Sequence, residues 1–108
     1  MKELTLSETI FLLAILRLQG NAYGLSLRDE LRKLFRRDVP YGTLYSFLDQ
    51  LFRKGLVTKS FGAPSGERGG RHKILYQVSP EGLAALKESY KLQKNLCRGI
   101  EEFVADKG

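Results

Sequence analysis

Hydrophobic residues recur at helical spacing in three successive segments of the first half of the chain. The first segment, residues 10–18, is apolar almost all the way round and follows Thr5 and Glu8, which can form a capping box. This pattern predicts a central helix that is buried on more than one side. The second segment has one apolar face and a basic outer face, as is typical of a surface helix. The third stops at Gly55, which suits a C-terminal cap, so three helices are predicted.

Alternation with a period of two replaces the helical spacing after Gly55. Residues 57–61 and 74–78 are rich in strand-forming side chains and predict two antiparallel strands. The segment between them, residues 62–73, contains four glycines and four basic-type side chains. A phosphate-binding loop for a nucleotide requires a helix directly after its glycines, whereas here a strand follows. The segment is therefore predicted to be the basic tip of a β-hairpin.

The last segment begins with Ser79 and Pro80, a favourable start for a long fourth helix. Apolar residues cover about half of its circumference, and so small a domain has little core to bury them, so a partner subunit is expected to cover the remainder. Two helices joined by a tight turn and followed by a hairpin indicate a winged helix-turn-helix. The predicted fold is mainly α with a small β-hairpin: a winged helix-turn-helix DNA-binding domain over residues 1–78 and a C-terminal dimerisation helix over residues 79–108, in one compact unit.

Composition and charge point to an anionic partner. The chain has 108 residues, of which 43% are hydrophobic, enough for a single small domain. Lys and Arg number 18 against 12 Asp and Glu, and the excess lies around the hairpin, where residues 53–73 hold six basic residues and one acid. Double-stranded DNA is the expected partner. No apolar run is long enough to cross a membrane, so we expect a cytoplasmic protein without a membrane partner.

Residues suited to enzymatic chemistry are scarce. Cys97 and His72 are the only cysteine and the only histidine, so the sequence offers no metal-ligand cluster and no pair of nucleophile and base. Cys97 falls on the apolar arc of the fourth helix and is interpreted as a small core residue. His72 is interpreted as a solvated side chain of the hairpin. We therefore expect neither catalysis nor a cofactor.

Five short motifs in one continuous register resemble those of a known family. They read AYG (22–24), YGTLYSFLDQL (41–51), KGLV (54–57), RGGR (68–71) and YQVSPEG (76–82). Gly-Thr-Leu-Tyr followed downstream by Arg-Gly-Gly-Arg is a specific combination. The pattern is similar to that of the PadR family of winged-helix transcriptional regulators, in its small class with a single short C-terminal dimerisation helix. The resemblance implies a homodimeric repressor on a pseudo-palindromic operator, with the terminal helix crossing to the partner and packing near the first helix.

Two features depart from the family pattern. Pro40 stands where a small polar residue often precedes the recognition helix, and a proline cannot supply a side-chain cap although it fixes the entry angle. The chain also contains no Trp, whereas members of the small class can bind flat hydrophobic drugs between tryptophans at the dimer centre. That class of ligand is therefore not carried over.

Candidate DNA contacts lie on the start of the third helix and on the hairpin. They are Tyr41, Gly42, Thr43, Tyr45, Ser46, Arg68, Arg71 and Lys73. Helical spacing puts a small, polar and aromatic face opposite the apolar stripe, and such a face can enter a groove of DNA. The resemblance assigns the same helix start, together with Arg68 and Arg71, to DNA. Tyr41 either packs or contacts DNA, and Gly42 either caps the helix or lets a phosphate approach.

A second set of candidate residues lies on the first and last helices. They are Phe11, Ile15, Tyr90, Cys97, Ile100, Phe103 and Val104. These side chains form either the core of a dimer, which we favour, or a pocket between subunits for a small hydrophobic effector. A different class of function is a winged-helix module that binds another protein without specific DNA binding. The basic, glycine-rich hairpin beside a small-residue helix start favours DNA, because a protein-binding module does not require it.

Overall fold

The computed structural model describes residues 3–36, 38–64 and 72–104. Its elements, in chain order, are helices α1 (Leu6–Arg17), α2 (Gly24–Phe35) and α3 (Tyr41–Arg53), strands β1 (Val57–Pro64) and β2 (His72–Val78), and helices α4 (Pro80–Leu96) and α5 (Glu101–Val104). The predicted fold class is confirmed, since the structure is mainly helical with one antiparallel two-stranded hairpin. No helix within these ranges is long and apolar enough to cross a membrane.

Helix α1 lies at the centre of the packing. Its start is the predicted capping box: the Glu8 N–H donates to Thr5 Oγ1 at 3.0 Å, and the Thr5 N–H donates to Glu8 Oε1 at 2.9 Å. Leu12 and Ala14 are fully buried. The helix packs against α2, β2 and α4, which explains why its sequence is apolar almost all the way round.

The turn between α2 and α3 sets the orientation of α3 relative to α2. Arg36 ends α2 in the left-handed conformation, with a φ of 60°. Arg32 Nε donates to Asp38 Oδ1 at 2.6 Å across the turn. Behind the turn, the two helices contribute leucines with no exposure to solvent, namely Leu27, Leu31, Leu44, Leu48 and Leu51. The buried leucines fix α3 against the domain and leave its opposite face exposed.

The hairpin is tied to the helices through Tyr76 of β2. The Tyr76 N–H donates to the Ala22 carbonyl at 2.8 Å, just ahead of α2. Burial raises the pKa of the Tyr76 hydroxyl above its ordinary value of 10.0, and the nearby Tyr45 and Asp49 add to the rise. Tyr76 therefore stays neutral and serves as a packing residue between the hairpin and α3.

Helix α4 begins as predicted and ends earlier than predicted. Ser79 caps it, because its Oγ accepts a hydrogen bond from the Gly82 N–H at 2.9 Å. The helix ends at Leu96, and Gly99 turns the chain with a φ of 87° before α5. The prediction of one long helix carrying a continuous stripe is thus wrong in its second half. Cys97 lies in this turn and is exposed, so its interpretation as a core residue is also wrong.

A charge pair links the start of α1 to the end of α3. Glu8 is 4% exposed, and its Oε2 accepts a hydrogen bond from Lys54 Nζ at 2.5 Å. Burial alone would raise the pKa of the Glu8 carboxyl. The hydrogen bonds from Lys54 and from the Thr5 backbone, with the Lys54 charge, outweigh burial and lower that pKa below its ordinary 4.5. The folded protein therefore favours the ionised carboxylate.

We expect Glu8→Gln to lower the free energy of unfolding by about 1 to 2 kcal/mol at neutral pH, because Lys54 loses a charged partner. Since folding lowers the pKa, the Glu8 contribution is present above the unfolded-state pKa near 4.5 and is lost as the pH falls through the folded-state pKa. Urea unfolding at a series of pH values should show the two proteins converging in acid. Glu3→Gln, at an exposed carboxyl, is the control. A stability difference that stays constant into acid would contradict this role of the ionised Glu8.

Candidate nucleic-acid interface

The start of α3 is an exposed surface of small residues. Gly42, Thr43 and Ser46 are all exposed on the side opposite the buried leucines. Pro40 is the residue before the helix, and no side chain caps the first N–H groups of α3. The surface therefore combines small side chains with free backbone donors, which is what a close approach of another backbone requires.

The packing of the described residues does not require a glycine at position 42. Apart from the chain neighbours of Gly42 and the backbone of its own helix, no described atom lies within 4 Å of a Cβ atom built on Gly42. Its φ is not positive, so any residue could adopt its conformation. Because Pro40 occupies the cap position, Gly42 is not the cap of α3. A glycine inside a helix costs about 0.5 to 1 kcal/mol relative to alanine, and no contact within the described part of the chain accounts for that cost.

Tyr41 and Tyr45 form an aromatic edge beside this surface. Their ring centroids are 6.3 Å apart, with an angle of 21° between the planes. Tyr41 is 40% exposed and Tyr45 is 46% exposed. The Tyr45 hydroxyl lies against the backbone of Gly24 at the start of α2, where a Cβ atom would overlap it. Tyr45 is therefore partly packed and partly available, and its hydroxyl occupies the space that a side chain at position 24 would take.

Arg28 of α2 lies at the same edge, although no pattern in the sequence distinguishes it from the other basic residues of that helix. Arg28 Nε donates to the Val39 carbonyl at 3.0 Å. Its guanidinium carbon is 4.5 Å from the centre of the Tyr41 ring, a cation–π geometry. The contact joins two helices, so it can be recognised only when the packing of α2 against α3 is known.

Positive charge from the hairpin is placed on both sides of the helix-turn-helix. Lys73 Nζ lies 4.2 Å from the centre of the Tyr23 ring, immediately before α2. Lys59 Nζ lies 4.4 Å from the centre of the Phe52 ring, near the end of α3. The predicted contacts Arg68 and Arg71 lie outside the described residues. Lys73 is thus the predicted hairpin contact that the structure brings next to the helices.

Most residues predicted for the subunit interface are accessible. Tyr90, Cys97, Ile100 and Phe103 are exposed on α4, on the turn that follows it and on α5. Val104 belongs to α5, and its side chain lies outside the described part of the structure. These residues follow one another along the C-terminal segment, so they are available to another molecule.

Phe11 and Ile15 are an exception, and the structure corrects their assignment. They are 4% and 3% exposed and lie in the core of the single chain, so neither can offer contact area to a partner or line a pocket between subunits. The exposed hydrophobic residues in the second half of α1 are Leu13 and Leu16, on the other side of the helix. A helix that is apolar all round does not reveal which of its sides meets the core.

A groove of about 280 Å³ runs between α1 and α4. It is lined by Thr9, Leu13, Leu16, Leu83, Leu86, Lys87, Ser89, Tyr90 and Gln93. Its wall is mainly hydrophobic, with Lys87 as its one charged residue. The groove is therefore a candidate contact surface of the domain. Within the described ranges, no group of His, Cys, Asp and Glu is arranged to hold a metal ion.

Several solved structures share this fold. RosR of H. salinarum is 30% identical, with a TM-score of 0.67 over 97% of this chain and 82% of that chain. A PadR-like transcriptional regulator from Bacillus cereus strain ATCC 14579 has a TM-score of 0.71 at 22% identity, covering 94% and 93% of the two chains. F93 from STIV, a winged-helix DNA-binding protein, has a TM-score of 0.65 at 18% identity, covering 91% and 98%. At such identities the last two establish the fold alone.

The family follows from the sequence match. No curated protein sequence matches the chain significantly. The model of the transcriptional regulator PadR-like family matches residues 12–88, from the middle of α1 into α4. This match covers more than half of the chain, and it confirms the resemblance drawn from the motifs. The chain therefore belongs to the PadR-like family of transcriptional regulators and is a DNA-binding regulator, not an enzyme.

Proposed function

We propose that the protein is a homodimeric transcriptional repressor that occupies a pseudo-palindromic operator. The observation that carries the proposal is the exposure of the C-terminal segment, in which every described residue from 90 to 103 is exposed. This segment contains five large hydrophobic side chains, namely Tyr90, Leu92, Leu96, Ile100 and Phe103. Leaving so many apolar groups in water is unfavourable, and a second copy of the chain would cover them.

The groove between α1 and α4 supports the same arrangement. Leu13 and Leu16 present apolar surface from α1, while Leu83 and Tyr90 present it from α4. In a two-fold symmetric dimer both subunits bury the same surface. One groove and one exposed segment per chain would therefore be enough to form the interface. A small hydrophobic effector would act in this groove by changing how the two subunits pack.

On DNA, each subunit would place the start of α3 in the major groove. Gly42, Thr43 and Ser46 would meet the DNA with little bulk, and the Tyr41–Tyr45 edge would flank the contact. The hairpins would reach the flanking backbone or minor groove, with Lys73 and the arginines Arg68 and Arg71 as basic contacts. A dimer held in this way represses by occupying DNA that the transcription machinery needs.

Footprinting on genomic fragments selected by the protein tests this function. We expect protection of a site with two-fold symmetry whose half-site centres are about 34 to 36 Å apart, because both recognition helices must meet the same face of the duplex. Inserting about 5 bp between the half-sites would rotate one of them to the opposite face and should abolish binding. Protection of one half-site alone, unaffected by the insertion, would contradict the dimeric operator.

A further inference from the structure

We propose that Arg28, positioned by Tyr41 and Val39, is a binding site for a backbone phosphate of DNA. The inference deepens the proposed function and rests on it. Arg28 lies on α2, and Tyr41 is the first residue of α3, so the site sits where the two helices of the helix-turn-helix meet. Nothing in the sequence pattern marks this junction, because its parts come from different elements.

The guanidinium of Arg28 is held in one orientation. Its Nε donates a hydrogen bond of 3.0 Å to the Val39 carbonyl, and its Cζ lies over the Tyr41 ring, 4.5 Å from the ring centre. These two contacts restrict the rotation of the side chain. It therefore gives up less entropy on binding an anion than a solvated arginine does.

The remaining donors of Arg28 are available. Within the described part of the chain, no hydrogen bond or ion pair engages its two terminal amino groups. The neighbouring Arg32 differs, because its guanidinium is paired with Asp38 at 2.6 Å. Among the described residues, Arg28 thus keeps two donor groups and its positive charge without a partner, and the fork of a guanidinium matches the oxygens of a phosphate.

The position of Arg28 favours a phosphate over a base edge. In helix-turn-helix proteins the first helix crosses the DNA backbone, whereas the second helix enters the major groove and contacts the bases. Arg28 belongs to the first of these two helices, α2. Val39, whose carbonyl accepts the hydrogen bond from Arg28, also precedes α3. The guanidinium therefore lies beside the helix that enters the groove and does not belong to it. A contact of this kind positions the protein without reading sequence.

The test compares Arg28→Ala with Lys33→Ala, which removes the same charge from an exposed position of α2. Affinity is measured by fluorescence anisotropy over a series of salt concentrations, on a duplex spanning the footprinted site and on a scrambled duplex of equal length. We expect Arg28→Ala to weaken binding to both duplexes by about 10-fold or more, as for loss of a charge-assisted hydrogen bond. The plot of log affinity against log salt should flatten by about 0.9 per subunit. Lys33→Ala should have a much smaller effect on both quantities.

Arg28→Lys provides a second variant that keeps the charge but lacks the planar fork and the Nε donor. We expect it to bind less tightly than the wild type while retaining more of the salt dependence than Arg28→Ala. Wild-type affinity and salt dependence in Arg28→Ala would overturn the inference, as would a loss confined to the footprinted duplex, which would indicate base reading. A wild-type protein that binds neither duplex would overturn the proposed function, and this inference with it.

Discussion

Replacing Leu16 and Tyr90 together with aspartate should produce a monomer whose affinity for operator DNA is lower by about 100-fold or more, because the gain from two linked half-sites is lost. Leu16 is 41% exposed and Tyr90 is 66% exposed, and both line the groove between α1 and α4. Charged groups there cannot be buried against a second subunit without a large desolvation cost. The fold of the single chain should survive, since neither side chain belongs to its core.

Light scattering gives the mass of the variant, and circular dichroism checks that it remains folded. Leu34→Asp is the matched control, because Leu34 is equally exposed on α2 and does not line the groove. We expect the control to keep twice the chain mass. A folded double variant that is still dimeric would show that the subunits meet elsewhere. A monomer that binds the operator as tightly as the wild type would show that dimerisation is not needed for binding.

The helix starts could be predicted because their signals are local. Thr5 and Glu8 form the capping box that their spacing of three predicts, and Ser79 caps α4 as its position before a proline suggests. The faces of α2 and α3 could also be predicted, since a regular apolar stripe has one buried side. Such features depend on residues within one or two turns of each other, which a sequence displays directly.

The remaining features depend on contacts that the sequence does not display. Hydrophobic periodicity shows which positions are apolar, but it does not show that Gly99 turns the chain or that Cys97 is exposed in that turn. It likewise could not show that α1 buries Phe11 inside the chain and leaves Leu13 outside, because both are equally apolar. The contact of Arg28 with Tyr41 joins two helices, so it appears only when their packing is known.

Two glycines near helix starts behave differently in the structure and should respond in opposite ways to alanine. A Cβ atom on Gly82 of α4 would overlap the Leu56 carbonyl oxygen and lie 2.9 Å from Val78 Cγ1. The Leu56 carbonyl also accepts the Ser79 N–H at 3.0 Å, and Ser79 Oγ donates to the Gly55 carbonyl at 2.6 Å. The start of α4 is therefore held against the segment between α3 and β1, with no flexible side chain to give way.

We expect Gly82→Ala to lower the free energy of unfolding by about 3 kcal/mol, because relief of the overlap with the Leu56 backbone requires α4 to move and its start to lose hydrogen bonds. For a domain of this size, that loss lowers the melting temperature by roughly 10 °C or more. Gly42→Ala is the matched control, since Gly42 also lies in the first turn of its helix but meets nothing within 4 Å. It should gain about 0.5 to 1 kcal/mol from helix propensity alone.

The two variants should separate packing from DNA binding when both are compared at one fixed protein concentration, as the stability of a dimer depends on concentration. Gly42→Ala adds a methyl group on the surface that we propose faces DNA. The variant should therefore bind the operator less tightly than the wild type although it is more stable. Thermal unfolding and fluorescence anisotropy on the same samples measure the two effects. Wild-type stability in Gly82→Ala would contradict the close packing of α4 on Leu56. Undiminished operator binding in Gly42→Ala would mean that the DNA backbone does not approach this helix start, and the glycine would then have no function in recognition.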